Sequence, residues 1–210
     1  AQTIINKYPF LQIYNPNIKP LKNVDIKKCH LKITTVNIDG NLSKKFSKNS
    51  PYLNTLLKNN NPHILAVCDI RRKILPTDIN IPGYQIIGFK PGDPKTYHHI
   101  GGIIIFKRND VVNKINIHHI NPKADTIFIS FKNQQNINHY IAVCYCRPYK
   151  ISNKYITIPF WNDLNTQIQS IKTNDPKADI TITGDLNAKL GPLTLDAVSY
   201  THLRAHETQP

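Results

Sequence analysis

The chain has 210 residues and carries 27 Lys and Arg against 13 Asp and Glu, a formal net charge of +14. With 40% apolar and 19% charged residues it can bury a core, which excludes disorder throughout, and no apolar run approaches the ~20 residues of a membrane-spanning helix. The charge favours an anionic partner such as nucleic acid, but the lysines are spread along the chain and suit a solvated surface equally well.

Residues 1–28 are irregular and punctuated by proline, and read as a linker or upstream region. They lack the apolar core and small-residue cleavage site of a secretory signal. The sequence contains no Met, so it is expected to be an excerpt of a longer one. Residues 29–197 carry the strand and helix patterns of one incomplete domain. In LKITTVNIDG, Leu31, Ile33 and Thr35 alternate with Lys32 and Thr34, which predicts a strand. Ser50-Pro51 then opens a helix, with Ser as N-cap and Pro at the first helical position. Leu53, Leu56 and Leu57 form its apolar face, and Asn59–Pro62 end it. HILAVCDI is a short continuous apolar run, as in a strand covered on both faces.

A turn at Pro82–Tyr84 leads into YQIIGFK, and GGIIIFK from Gly101 predicts another strand. DTIFISFK and HYIAVCYC follow as alternating strands. In PFWNDLNTQIQSIK, Trp161, Leu164, Ile168 and Ile171 share one face of an amphipathic helix. DITITGDLNA closes the series, with Ile180 and Ile182 on one side and Thr181 and Thr183 on the other. Strands and helices without a regular βαβα alternation predict an α/β sandwich of mixed sheets flanked by helices.

Cys29, Cys68, Cys144 and Cys146 match neither a zinc ribbon nor a redox C-x-x-C spacing and are expected to be free, buried thiols. His98-His99 and His118-His119 read as loop and strand-edge residues. The stretch Val198–Thr208 resembles the translation of a transposase-type sequencing adapter, so residues 198–210 are read as a non-native tail. His202 and His206 are set aside with it. Removing that tail takes one Arg and one Glu, so the net charge stays at +14.

Four segments place a polar cluster where a predicted strand ends: Asn37–Gly40, Cys68-Asp69, Tyr145–Pro148 and Gly184–Ala188. Rigid strands holding variable loops are where sites are built, and carboxylates and amides are the hard oxygen ligands that Mg²⁺ takes. Taken singly, each segment reads as well as an ordinary turn or capping residue. Their order is more specific. GDLNA resembles the GD[FL]N motif of the endonuclease/exonuclease/phosphatase superfamily. TVNIDG resembles its first motif, and ILAVCDIRRK its second, a buried strand ending in a metal-binding Glu. PGY, the Gly101 strand and the Tyr of AVCYCRP fall in the same order, so the resemblance covers about residues 31–192. HIGGIIIF and YCRP look most like the endonuclease domains of non-LTR retrotransposons.

The resemblance implies a DNase I-like two-sheet sandwich and a DNA-nicking, Mg²⁺-dependent phosphodiesterase, with Mn²⁺ as an alternative cofactor. It implies that Asp69, Asp39 and Asn37 hold the metal, Asn37 also lining the phosphate site. Tyr145 would donate a hydrogen bond to the scissile phosphate or assist the nucleophile. Asp185 would orient or deprotonate the attacking water, Asn187 would hydrogen-bond the phosphate, and Arg71 and Arg147 would pair with neighbouring phosphates. DNA would be the partner, a reverse transcriptase would follow in the full-length protein, and the site of action would be intracellular, in the nucleus.

The sequence departs from the pattern twice. Position 69 is Asp where the family has Glu, and the C-terminal Ser-Asp-His motif is absent, which predicts a C-terminally truncated domain with little or no activity of its own. An abasic-site endonuclease or another phosphoesterase of the same fold is one alternative, and a degenerate nucleic-acid-binding remnant is the other.

Overall fold

The computed structural model describes residues 31–187, apart from 47–49, 76–78, 97, 122–123, 133–134 and 148–153. The expectations for residues 1–28, Cys29, Pro148 and the tail from Val198 lie outside these residues.

Within the described residues, eight strands form two mixed four-stranded sheets. The first has the order β1-β2-β4-β3, from β1 (Ile33–Asn37), β2 (Ile64–Cys68), β3 (Tyr84–Lys90) and β4 (Ile103–Arg108). The second has the order β5-β6-β7-β8, from β5 (Asn116–Ile120), β6 (Asp125–Lys132), β7 (Asn138–Tyr145) and β8 (Asp179–Asp185). Each sheet has one parallel pair at an outer end, β1 with β2 and β7 with β8, and antiparallel pairs elsewhere.

Parallel neighbours need a crossover, and here helices supply it. Between β1 and β2 lie α1 (Leu42–Lys45) and α2 (Pro51–Asn60), and between β7 and β8 lies α3 (Lys154–Asn174). The helix α2 starts as the sequence predicts: Ser50 Oγ accepts from Leu53 N at 3.4 Å, and Pro51 takes the first helical position. Asn61, in a left-handed conformation, ends it. The helix α3 begins earlier than the apolar stripe suggests and keeps Pro159 in its interior.

Three apolar clusters define four layers. Ile64, Ala66, Ile103 and Ile105 meet Ile127, Ile129, Ile141 and Val143 between the sheets. Leu65, Val67, Ile104 and Phe106 pack outward against Leu42, Phe46 and Leu53 of the α1–α2 side. Phe128, Ala142 and Cys144 face Phe160, Leu164 and Ile171 of α3, with Ile180 and Ile182 packed alongside. Every residue of β2 is buried, because its two faces feed two clusters. Each fully buried Ile or Leu contributes about 1.5–3 kcal/mol relative to exposure. Cys68, Cys144 and Cys146 are free and buried, and burial raises the thiol pKa of all three. This is the two-sheet α/β sandwich expected from the sequence.

Candidate active site

The carboxyl ends of β1, β2, β7 and β8 meet at one rim of the sandwich, with the amino ends of β4 and β6 beside them. Register places Asn37 opposite Cys68, and Tyr145 between Asp125 and Asp185. Higher up, Thr35 Oγ1 and Thr183 Oγ1 share a hydrogen bond of 2.8 Å between the sheets. At the rim itself, Asn37 Nδ2 donates to Asp185 Oδ2 at 2.5 Å.

The Asn37–Gly40 turn is tied down on both sides. Asp39 N donates to Asn37 Oδ1 at 2.8 Å, and Gly40 N donates to Asp69 O at 2.8 Å. The Asp69 carboxylate is buried, and its Oδ1 accepts from Gly101 N at 2.8 Å. Arg71 Nε and Nη2 donate to Asp69 Oδ1 and Oδ2 at 3.3 and 2.8 Å, and Nη2 also donates to Asp39 Oδ1. The Asp69 hydrogen bond, outweighing partial desolvation, raises the guanidinium pKa further. Asp185 Oδ1 accepts from Asn187 N at 3.2 Å, while Asn187 Nδ2 donates to Cys146 O at 2.9 Å.

Tyr145 is buried, and its phenol lies within electrostatic reach of Asp69, Asp185 and Arg71. Burial first, then the two carboxylates, pushes its pKa well above the ordinary range, so the phenol stays protonated. Asp39, Asp69, Arg71 and Asn187 all have left-handed φ values between 45° and 54°. For Arg71 this is uncommon, and such conformations concentrate where a fixed side-chain direction matters.

Eight of the predicted positions divide unevenly. Asn37, Asp39, Asp69, Arg71, Tyr145, Asp185 and Asn187 come together at the rim through the contacts above, and Arg147 does not join them. Its buried guanidinium donates to Asp93 Oδ2 at 3.0 Å and to Ile100 O at 3.2 Å, bracing that loop against the end of β7. A cleft of about 580 Å³ opens beside it, lined by Tyr145, Arg147, Phe160 and Asn162 among others.

Two supporting features went unseen in the sequence. Gly101 and Gly102, at φ 91° and 85°, direct their N–H groups to Asp69 and Asp125. A Cβ at Gly101 would stand 2.0 Å from Asp125 Oδ2, so only glycine fits there. Lys90 of β3 reaches across to Asp125 of β6 at 2.9 Å, an ion pair buried between the sheets. The adjacent glycines before an apolar strand were the one available signal, and they were read as a strand start and as part of the family resemblance, not as donors to the two carboxylates.

The donor chemistry suits a hard divalent cation. Asp39, Asp69 and Asn37 offer carboxylate and amide oxygens of the kind Mg²⁺ and Mn²⁺ take. In the conformation seen, N–H donors occupy those oxygens, and among the described residues no group of three His, Cys, Asp or Glu side chains forms a ready cation cage. The donor set is two carboxylates and an amide, and in this conformation the guanidinium of Arg71 stands on both carboxylates where a cation would bind.

Two mixed four-stranded sheets face to face, with helices outside, form the DNase I-like sandwich expected from the sequence. The human Nocturnin catalytic domain, solved with bound sulfate, is similar at 18% identity over 86% of this chain and 72% of its own, with a TM-score of 0.52. The Xenopus laevis APE2 catalytic domain is similar at 14% identity over 79% of this chain and 63% of its own, with a TM-score of 0.53. At such identities the likeness shows the fold alone. No profile of a known family and no curated protein matches the sequence. Among the described residues, no helix is long and apolar enough to cross a membrane.

Proposed function

We propose that this chain is the phosphodiester-cleaving domain of a DNA-nicking endonuclease of the kind carried by non-LTR retrotransposons. The observation that supports it is the 2.5 Å hydrogen bond from Asn37 to Asp185, which joins strand ends of opposite sheets beside Asp39, Asp69 and Tyr145. The HIGGIIIF and YCRP segments support the particular assignment, in which a reverse transcriptase follows and the target is nuclear DNA.

Hydrolysis of a phosphodiester needs an aligned water and neutralisation of the charge on the phosphate oxygens. Asp185, held by Asn37 Nδ2 and Asn187 N, orients the water and takes its proton. Tyr145, kept protonated, donates to a phosphate oxygen, and the second N–H of the Asn187 amide can do the same. A divalent cation on Asp69, Asp39 and Asn37 would supply Lewis-acid charge neutralisation at the phosphate. Phosphate contact falls to Arg71, since Arg147 is committed to Asp93 and Ile100.

One observation favours a binding-only remnant: Arg71 fills the carboxylate pair. The purified chain is expected to bind a short DNA duplex with affinity falling about tenfold or more between roughly 50 and 200 mM salt. Fluorescence anisotropy reads this, and intact and abasic duplexes should bind alike. Absence of salt-dependent binding rules out DNA as the substrate, and a strong preference for the abasic duplex selects the abasic-site reading. Plasmid nicking in Mg²⁺ is expected at background, and a signal abolished by Asp185→Ala reverses that expectation.

A further inference from the structure

Arg71 stands in an unusual place for a phosphate-binding residue. Its guanidinium lies between a side chain of Asp69 that is 2% exposed and one of Asp39 that is 74% exposed, and is itself 31% exposed. Both Asp69 oxygens are engaged by it, and Oδ1 also accepts from Gly101 N. The backbone contributes to this aim: Arg71 has φ 51°, and its N–H donates to Gly101 O at 2.9 Å. Gly40 leaves the room, since a Cβ there would stand 2.7 Å from Arg71 Cδ.

A guanidinium and a divalent cation cannot share these oxygens, because both need the same lone pairs and repel each other. A buried carboxylate stripped of every cation is costly, so one positive charge has to stay beside Asp69. The long arginine stem borders solvent, and the head can leave without disturbing the strands.

We propose that Arg71 is an exchangeable internal cation: it holds Asp39 and Asp69 when no divalent ion is bound, and arrival of that ion releases it toward a phosphate. Metal uptake and anion binding are then coupled through one side chain. The inference rests on the reading of this rim as a metal site and adds a competitor to it.

The test uses Mn²⁺ alone, with free ion followed by electron paramagnetic resonance, on the whole chain and on Arg71→Gln, Arg71→Ala and Asp69→Asn/Arg71→Gln. Removing the guanidinium is expected to tighten Mn²⁺ binding by about five- to a hundredfold, and loss of the Asp69 charge in the double variant to abolish the gain. In parallel melts, Mn²⁺ should raise the transition temperature of Arg71→Gln more than that of the unaltered chain, which covers the case of a variant poorly folded without metal. Equal Mn²⁺ affinity in Arg71→Gln and the unaltered chain overturns the competition and leaves the metal site standing. No Mn²⁺ uptake by folded Arg71→Gln overturns both.

Discussion

His63 shows how position alone sets the charge of a side chain. It is buried just before β2, and its Nδ1 accepts from Lys32 N at 3.0 Å. Burial, with Arg108 and Lys32 nearby, lowers its pKa to about 4. Since the folded value lies below the unfolded one near 6.5, the neutral ring supports the fold fully above pH 6.5. That support is lost as pH falls from there toward 4, with a slope of at most about 1.4 kcal/mol per pH unit. In His63→Asn, whose amide oxygen can accept in place of Nδ1, denaturant titrations at several pH values should show this part of the acid sensitivity gone. Identical pH dependence in both proteins would refute the assignment. Individual residues were also where the sequence was most readable. Asn37, Asp69, Tyr145 and Asp185 sit at strand ends whose apolar patterns are plain. Asp125 and Lys90 also stand at strand ends but went unread, because their meaning lies in each other, across 35 positions and two sheets.

At the scale of elements, local chemistry decides what is legible. Ser50 and Pro51 announce α2 because capping is a contact between near neighbours. Ser50→Ala should lower unfolding stability by about 1 kcal/mol while leaving DNA affinity unchanged, as measured by denaturant unfolding and anisotropy. A change in DNA affinity without one in stability would contradict this. The strand β5 left only a trace in the sequence, His118-His119 reading as strand-edge residues, for the opposite reason. Four of its five residues are exposed, so NIHHI has no buried face to impose alternation, and a register shift between Ile117 and His119 breaks the period again. The start of α3 carries no such signal: proline suits the first turn of a helix, yet Pro159 lies further in and the helix starts at Lys154. The apolar stripe from Trp161 onward predicts the packed part of the helix, not its first residues.

For the whole molecule, the two halves repeat a plan that no single segment reveals. Each sheet has a parallel outer pair closed by helices, and each pair delivers its polar ends to the same rim. Sheet order depends on pairings between distant strands, so the sequence predicted the sandwich but not this correspondence. The Lys90–Asp125 pair ties the halves together in the interior. Burial outweighs that ion pair in Asp125, whose pKa is raised despite the lysine. Lys90→Met, which strands the carboxylate, should cost about 3–5 kcal/mol in chemical denaturation, and adding Asp125→Leu should recover much of it. A neutral Lys90→Met would mean that the pair does not link the sheets.

The partners Asn37 and Asp185 are separated by 148 positions, and their meeting has a consequence for how the molecule comes into being. A chain leaving the ribosome can complete its first sheet once Arg108 has emerged, with β8 still unmade. Throughout that interval Arg71 can already pair with the acids at 39 and 69, while Lys90 still awaits Asp125. Assembly of the rim waits for the last strand, and synthesis itself acts as the timer.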